Sequence, residues 1–397
     1  MDSCGNTSGD EPSRLLHLDA LRGLMLVFMA VNHIPSDLQI ATNHIFGFVS
    51  AAEGFVFLAG LLAGMIYTRR LRRESFGQVR DACVRRAAIV YGYHLAAYFT
   101  IFAWVVAFTW ETGIAPACSP ALMQYSPWLA LLAGPFFIYQ PGLLDVLPMY
   151  CLFMLVLPFL LRWLELGYRS RVMFVSFGLW ALSNALIPRH PLVSGIINTG
   201  AFNPVSWQLL FVIGAVFGHA WGRGEKLLPA PRPWLIALVL LPAGLLWATR
   251  HAFLDSPWSY AWLDALTNKN NLAPLRLINV ALVFYLVHLA LARFPSLIQW
   301  RPLALLGRHS LPVFAGHIVI ASMLLAFPAL FSETVGSRWI STTILLGGMF
   351  AVAGLHQVAA RRQHLPQPLL PTRQPWTLRA IVRHGKHALG VANPVHR

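Results

Sequence analysis

The chain has 397 residues, 57% of them hydrophobic and only 11% charged, with a mean hydropathy of +0.58. That apolar excess is more than a soluble core can hold, so an ordinary soluble domain is excluded and lipid must cover the surplus. The formal charge of +15 does not mark a nucleic-acid-binding protein, because Lys and Arg fall between long apolar runs and form no compact basic domain.

The first eleven residues are polar and include Asp2, Asp10 and Glu11, unlike the basic start of a signal peptide, so the apolar run from Leu15 is expected to remain as a membrane helix. A bilayer core of about 30 Å needs about 20 apolar residues per helix. On that ruler ten spans are expected, near 15–35, 45–68, 84–110, 142–161, 172–188, 205–222, 233–249, 275–293, 309–331 and 339–358. Between Glu111 and Pro141 the patch SPWLALLAGPFFIYQPG is too short and too rich in Pro and Gly to span, and reads as a re-entrant or interfacial piece.

With the N-terminus inside, 25 of the 30 Lys and Arg residues fall on the inner side, and only Arg189, Arg250, Lys269, Arg276 and Arg338 fall outside. Short cytoplasmic loops carry the positive excess. The expected architecture is therefore an all-α polytopic membrane protein of about ten transmembrane helices with both ends in the cytoplasm. Residues 1–358 form a single transmembrane domain, and 359–397 form a basic cytoplasmic tail rich in Pro, Arg and His, suited to anionic lipid headgroups. The four cysteines, Cys4, Cys83, Cys118 and Cys151, have no spacing that fits zinc or a disulfide framework, and no metal is expected.

Charged groups inside the bilayer cost about 2.5–3.5 kcal/mol each on insertion scales and normally face a cavity or a partner. In the first span, LDALRGLMLVFMAVNHIP places Asp19, Arg22, Asn32 and His33 among apolar neighbours. Eleven residues carry His33 three turns beyond Arg22, within roughly 20° of the same face and about 16 Å along the axis. Asp19 stands one turn before Arg22 and can pair with it. The second span carries Glu53 at a depth comparable to His33, where a carboxylate could orient the imidazole; its Gly60 and Gly64 have the spacing of close helix packing. His94, His288 and His317 lie within later spans, and Asp145 opens the fourth. The outer segment LTNKNNLAPLRLIN brings Lys269, Asn270, Asn271 and Arg276 to a side where positive charge is scarce, a setting for an anion or sugar hydroxyls. There is no G-x-S-x-G, P-loop, dinucleotide fingerprint or H-E-x-x-H motif.

The strings LDALRGLMLVFMAVNHIP, FGFVSAAEGFVFLAG, NKNNLAPLRLI and LGRHSLPVFAGH together resemble the OpgC family, within the wider acyltransferase family 3 group. Arg22 and His33 match the Arg-x10-His arrangement of that group's first helix, where the pair is thought to be catalytic. Ser50 stands where the family often has Asp before AAE, so no carboxylate role is assigned there. The resemblance implies ten helices in a bacterial inner membrane. It also implies an acyl-CoA co-substrate taken from the cytoplasm, no bound cofactor, and O-acylation, often succinylation, of periplasmic glucans beside the glucan-synthesis machinery.

On this reading His33, Glu53, Arg22 and Asp19 form the reaction centre, while Asn32, His94, Asp145, Lys269, Asn271, Arg276 and His317 contact substrate. His33 would be either general base or transient acyl carrier. The rival class is a transporter or channel whose buried charges line a path, and a third is a non-catalytic scaffold for glucan synthesis.

Overall fold

A computed structural model describes residues 11–116, 121–186, 202–225, 227, 233–253, 261–331 and 335–364. In chain order the helices are α1 (Glu11–His33), α2 (Ala51–Leu71), α3 (Phe76–Thr112), α4 (Ala121–Tyr125), α5 (Pro127–Ala133), α6 (Val146–Glu165) and α7 (Arg169–Leu186). They continue as α8 (Pro204–Gly222), α9 (Pro233–Phe253), α10 (Ala261–Thr267), α11 (Pro274–Arg293), α12 (Arg301–Arg308), α13 (Ser310–Leu324) and α14 (Val335–His364). Among the described residues there is no β-strand, only the isolated bridge between Phe46 and Val49. Met1–His356 form one compact unit and Gln357–Arg397 another. Arg189 and the basic tail from 365 onward, both part of the charge sort, lie outside the described residues.

Every apolar stretch expected to span contains a helix. Seven are long and apolar enough to cross a membrane by themselves, or eight if α12 and α13 count as one bent span. Neither α1, with Glu11, Arg14, Asp19 and Arg22, nor α7, which opens with Arg169 and Arg171, meets that standard. The protein is thus a multi-pass membrane protein. Its outward faces agree: Phe174 and Leu241 are each 80% exposed, which is tolerable only against lipid.

Two expected boundaries change. The third helix begins at Phe76, where Ser75 caps it and Gln78 reaches back to the Ser75 backbone at 2.9 Å; its 37 residues measure about 55 Å and outrun the bilayer core. The ninth expected span is broken, with α12 and α13 meeting at 89° around His309. Pro312 lacks the N–H that would bond to the Arg308 carbonyl, and its ring disfavours a continuous helix through 308–312.

The centre of the bundle is α2 against α8. In its most apolar stretch α2 is 78% buried, while that of α9, which packs on α11, is 6% buried. Gly60 and Gly64 lie directly against the carbonyls of Phe211 and Ala215, and reciprocally Gly214 and Gly218 lie against those of Phe57 and Leu61. Both helices therefore contribute small residues four apart, and the backbones touch. Any β-carbon there meets backbone, which cannot step aside. Gly214→Leu is expected to cost more than the about 1–3 kcal/mol typical of overpacking. Gly244→Leu on α9, facing open space, should be neutral. Thermal melting of both variants in mild detergent checks this; equal melting curves would refute it.

Candidate active site

Arg22 and His33 occupy the same face of α1, and the face they share is turned to α13. Arg22 Nη2 donates to the Ser310 hydroxyl at the start of α13. His33 Nδ1 lies 3.1 Å from His317 Nε2, and the rings are within 14° of parallel with centroids 5.2 Å apart. From Ser310 to His317 is about 10 Å of helix rise and from Arg22 to His33 about 16 Å, so the helices run in the same direction and the long arginine side chain makes up the difference. His317, expected to contact substrate, is fully buried and bonded to His33.

The expected pairing of Asp19 with Arg22 is replaced. Asp19 accepts a hydrogen bond from Arg308 Nε at 3.3 Å, because α12 crosses α1 closely enough for Gly307 to touch the Asp19 carbonyl and for Gly23 to touch that of Leu303. Asp19 therefore ties the bent α12 to α1, and among the described residues no carboxylate is in hydrogen-bond contact with Arg22.

Glu53 is likewise committed elsewhere. Its carboxylate is fully buried, accepts from the Ser50 backbone N–H at 2.9 Å and from the Ser50 hydroxyl, and pairs with Arg276 Nη1 at 2.6 Å. Arg276 Nε donates to the Thr267 carbonyl at 2.9 Å. The same carboxylate thus caps α2 and clamps it to α11. The carboxylate expected to orient His33 is bonded to a guanidinium 223 positions away, and the imidazole has a second imidazole as its partner.

Residues 268–273 form a lashed loop. Its carbonyls at Lys269 and Asn270 both accept from Trp207 Nε1 at 3.1 Å, and that of Leu272 accepts from Trp180 Nε1 at 2.9 Å. Asn271 accepts from Asn203 Nδ2 at 3.1 Å through its side chain and from Asn184 Nδ2 at 2.9 Å through its carbonyl. Asn271 thus anchors the loop. The ammonium of Lys269 lies 5.3 Å from the centre of the Phe202 ring. Burial lowers its pKa, the charge of Glu53 opposes that, and Arg276 reinforces it. Asp145 accepts from the Phe202 backbone N–H at 3.2 Å.

Asn32 is turned to Thr42, accepting from its hydroxyl at 2.8 Å and donating to its carbonyl at 3.3 Å, which closes the turn after α1. His94 is buried among Tyr91, Tyr98 and Phe137, where α3 meets the loop after α5. Neither bonds to the α1–α13 pair. Sequence reasoning missed Ser310, Arg308 and His44. The first two sit in the quoted LGRHSLPVFAGH string, where Pro312 marked the break that brings them to α1. Burial takes the imidazole of His44 down to about 4, helped by Arg250 and Arg276. Among the described residues, no three His, Cys, Asp or Glu side chains converge as a metal site requires.

The arrangement is that of a helical membrane protein with an arginine and a histidine pair along one buried helix seam, and a buried ion pair bracing the neighbouring helices. A family model described as OpgC protein matches residues 14–363, and the chain belongs to the OpgC family. No curated protein and no solved structure matches it.

Proposed function

We propose that this protein is a membrane-bound O-acyltransferase that moves an acyl group, succinyl among the candidates, from cytoplasmic acyl-CoA to a hydroxyl of a periplasmic glucan or related glycan. Membership of the OpgC family supports the reaction class. The observation that carries the chemistry is the seam on which Arg22, at mid-helix, and His33, at the end of α1, are both fixed against α13. Arg22, with Arg86 in electrostatic range, suits the anionic end of CoA, whereas Arg70 is already engaged by Glu74 at 2.8 Å. His33 then takes the proton of the acceptor hydroxyl as its oxygen attacks the thioester carbonyl, or first carries the acyl group itself; the departing CoA thiolate recovers the proton.

In the topology we propose, α1 and α7 join the eight spans to make ten, with both ends in the cytoplasm of a bacterial inner membrane. Lys269 is then periplasmic. In a cysteine-free background, Lys269→Cys should react with an impermeant thiol reagent in intact cells; reaction only in inverted vesicles would reverse the orientation. The decisive assay is purified protein in lipid given acyl-CoA with and without glucan. Glucan-dependent release of CoA with acyl groups on the glucan is expected, and the absence of both would remove the transferase reading.

A further inference from the structure

We propose that His317 is the positioning residue for His33. It fixes the tautomer in which His33 Nε2 is unprotonated, and it shares the proton that His33 acquires. The inference rests on the acyl-transfer reading, and serves the base and the acyl-carrier roles alike, since both need a lone pair on Nε2.

Only one hydrogen can lie between two neutral imidazole nitrogens 3.1 Å apart, and each ring carries one N–H. If His317 Nε2 donated, the hydrogen of His33 would sit on Nε2 and leave it unable to accept a proton or attack a carbonyl. If His33 Nδ1 donates, Nε2 is free and the hydrogen of His317 sits on Nδ1. The surroundings favour the second arrangement. On its own helix the His317 ring lies near the carbonyls of Val313 and Phe314, which are acceptors only; its buried Nδ1 makes no hydrogen bond to them, but acceptors on that side favour a hydrogen on Nδ1 over a lone pair there. His317 is fully buried, with its ring packed edge-on to Phe314 at 5.1 Å, so it is held against a ring flip. The nearly parallel rings and 5.2 Å centroid separation let the N–H of one point along the lone pair of the other. Nε2 of His33 has no protein hydrogen bond among the described residues, and is the nitrogen left to meet substrate.

When His33 takes the hydroxyl proton on Nε2, its Nδ1–H bond to His317 becomes charge-assisted and strengthens. That is the service a carboxylate gives a catalytic histidine elsewhere. Here Glu53 is held by Arg276, and a second imidazole takes the place. The titratable groups facing His33 are His317 from α13 and Lys269 from the loop before α11; Lys269 is common to every variant below, so differences between them report on His317.

The test uses the purified full-length protein. His317→Phe keeps a ring and removes the acceptor, while His317→Gln keeps an acceptor near the position of Nε2. Per folded molecule, His317→Phe should lower kcat about 10²-fold with little change in KM for acyl-CoA, and His317→Gln should recover most of that loss. Losing the acceptor disfavours the imidazolium, so the acid limb of the pH–kcat profile should move to lower pH by about one unit in His317→Phe. If that variant fails to accumulate, His317→Leu is measured in its place with the same expectations. A kcat within about threefold of wild type, or His317→Gln as damaged as the apolar variant with an unshifted acid limb, overturns the inference while His33→Ala remains inactive. Survival of activity in His33→Ala would instead remove the acyl-transfer mechanism itself.

Discussion

His33→Ala and His33→Gln should each lower glycan acylation by about 10²–10⁴-fold per folded molecule, the usual effect of losing a general base. An imidazole can take a hydroxyl proton near neutral pH, whereas a methyl group or an amide cannot. His33 is also held on the seam: its ring is bonded to His317, and the Arg22–Ser310 contact three turns earlier fixes the same face of α1 against α13. If the histidine were only a packing element, its replacement would forfeit a hydrogen bond of about 1 kcal/mol and reduce the amount of folded protein. Measuring acyl groups on the glycan, normalised to monodisperse protein, separates the two. Acylation within a few-fold of wild type would sink the assignment.

Glu53→Gln should have the largest effect on stability. Removing one partner of a buried ion pair typically costs about 3–5 kcal/mol, because the other charge is left unpaired, and here Arg276 is 5% exposed and Glu53 not at all. The amide keeps one oxygen that can still accept from the Ser50 backbone, as Gln78 does for Ser75, so the loss falls on the charged clamp to α11 and not on the cap of α2. Thermal melting should fall for Glu53→Gln and for Arg276→Gln alone. Glu53→Met with Arg276→Met should melt above the sum of the single losses, since neither charge is then stranded. Additive losses, or an unchanged melting temperature in Glu53→Gln, would contradict the clamp. A single substitution that melts normally yet abolishes transfer would return Glu53 to a direct chemical role.

The apolar runs, the in-register polar face of α1 and the small-residue spacing of α2 were legible in the sequence because each is periodic over a few turns. Apolar length defines a membrane helix, and eleven residues return a helix to nearly the same face. That arithmetic placed Arg22 and His33 together, and Gly60 with Gly64 announced a backbone contact. What those faces meet was not legible. Asp19 and Arg22 have the spacing to pair, yet α12 brings Arg308 to the one and the start of α13 brings Ser310 to the other.

Glu53 shows the same limit. Its depth beside His33 made a partnership reasonable, but the loop at 268–273, lashed to Trp180 and Trp207, starts α11 where Arg276 reaches the carboxylate first. His317 was one of several histidines scattered along the spans, and only the parallel course of α1 and α13 set its ring beside His33. The sequence by itself determined a multi-pass helical protein and which residues share a helix face, because helix periodicity is local. The tertiary structure alone decided the partner of each buried charge. Those partners lie hundreds of positions apart, and a buried ion takes whichever counter-charge or hydrogen-bond donor the packed helices bring within reach.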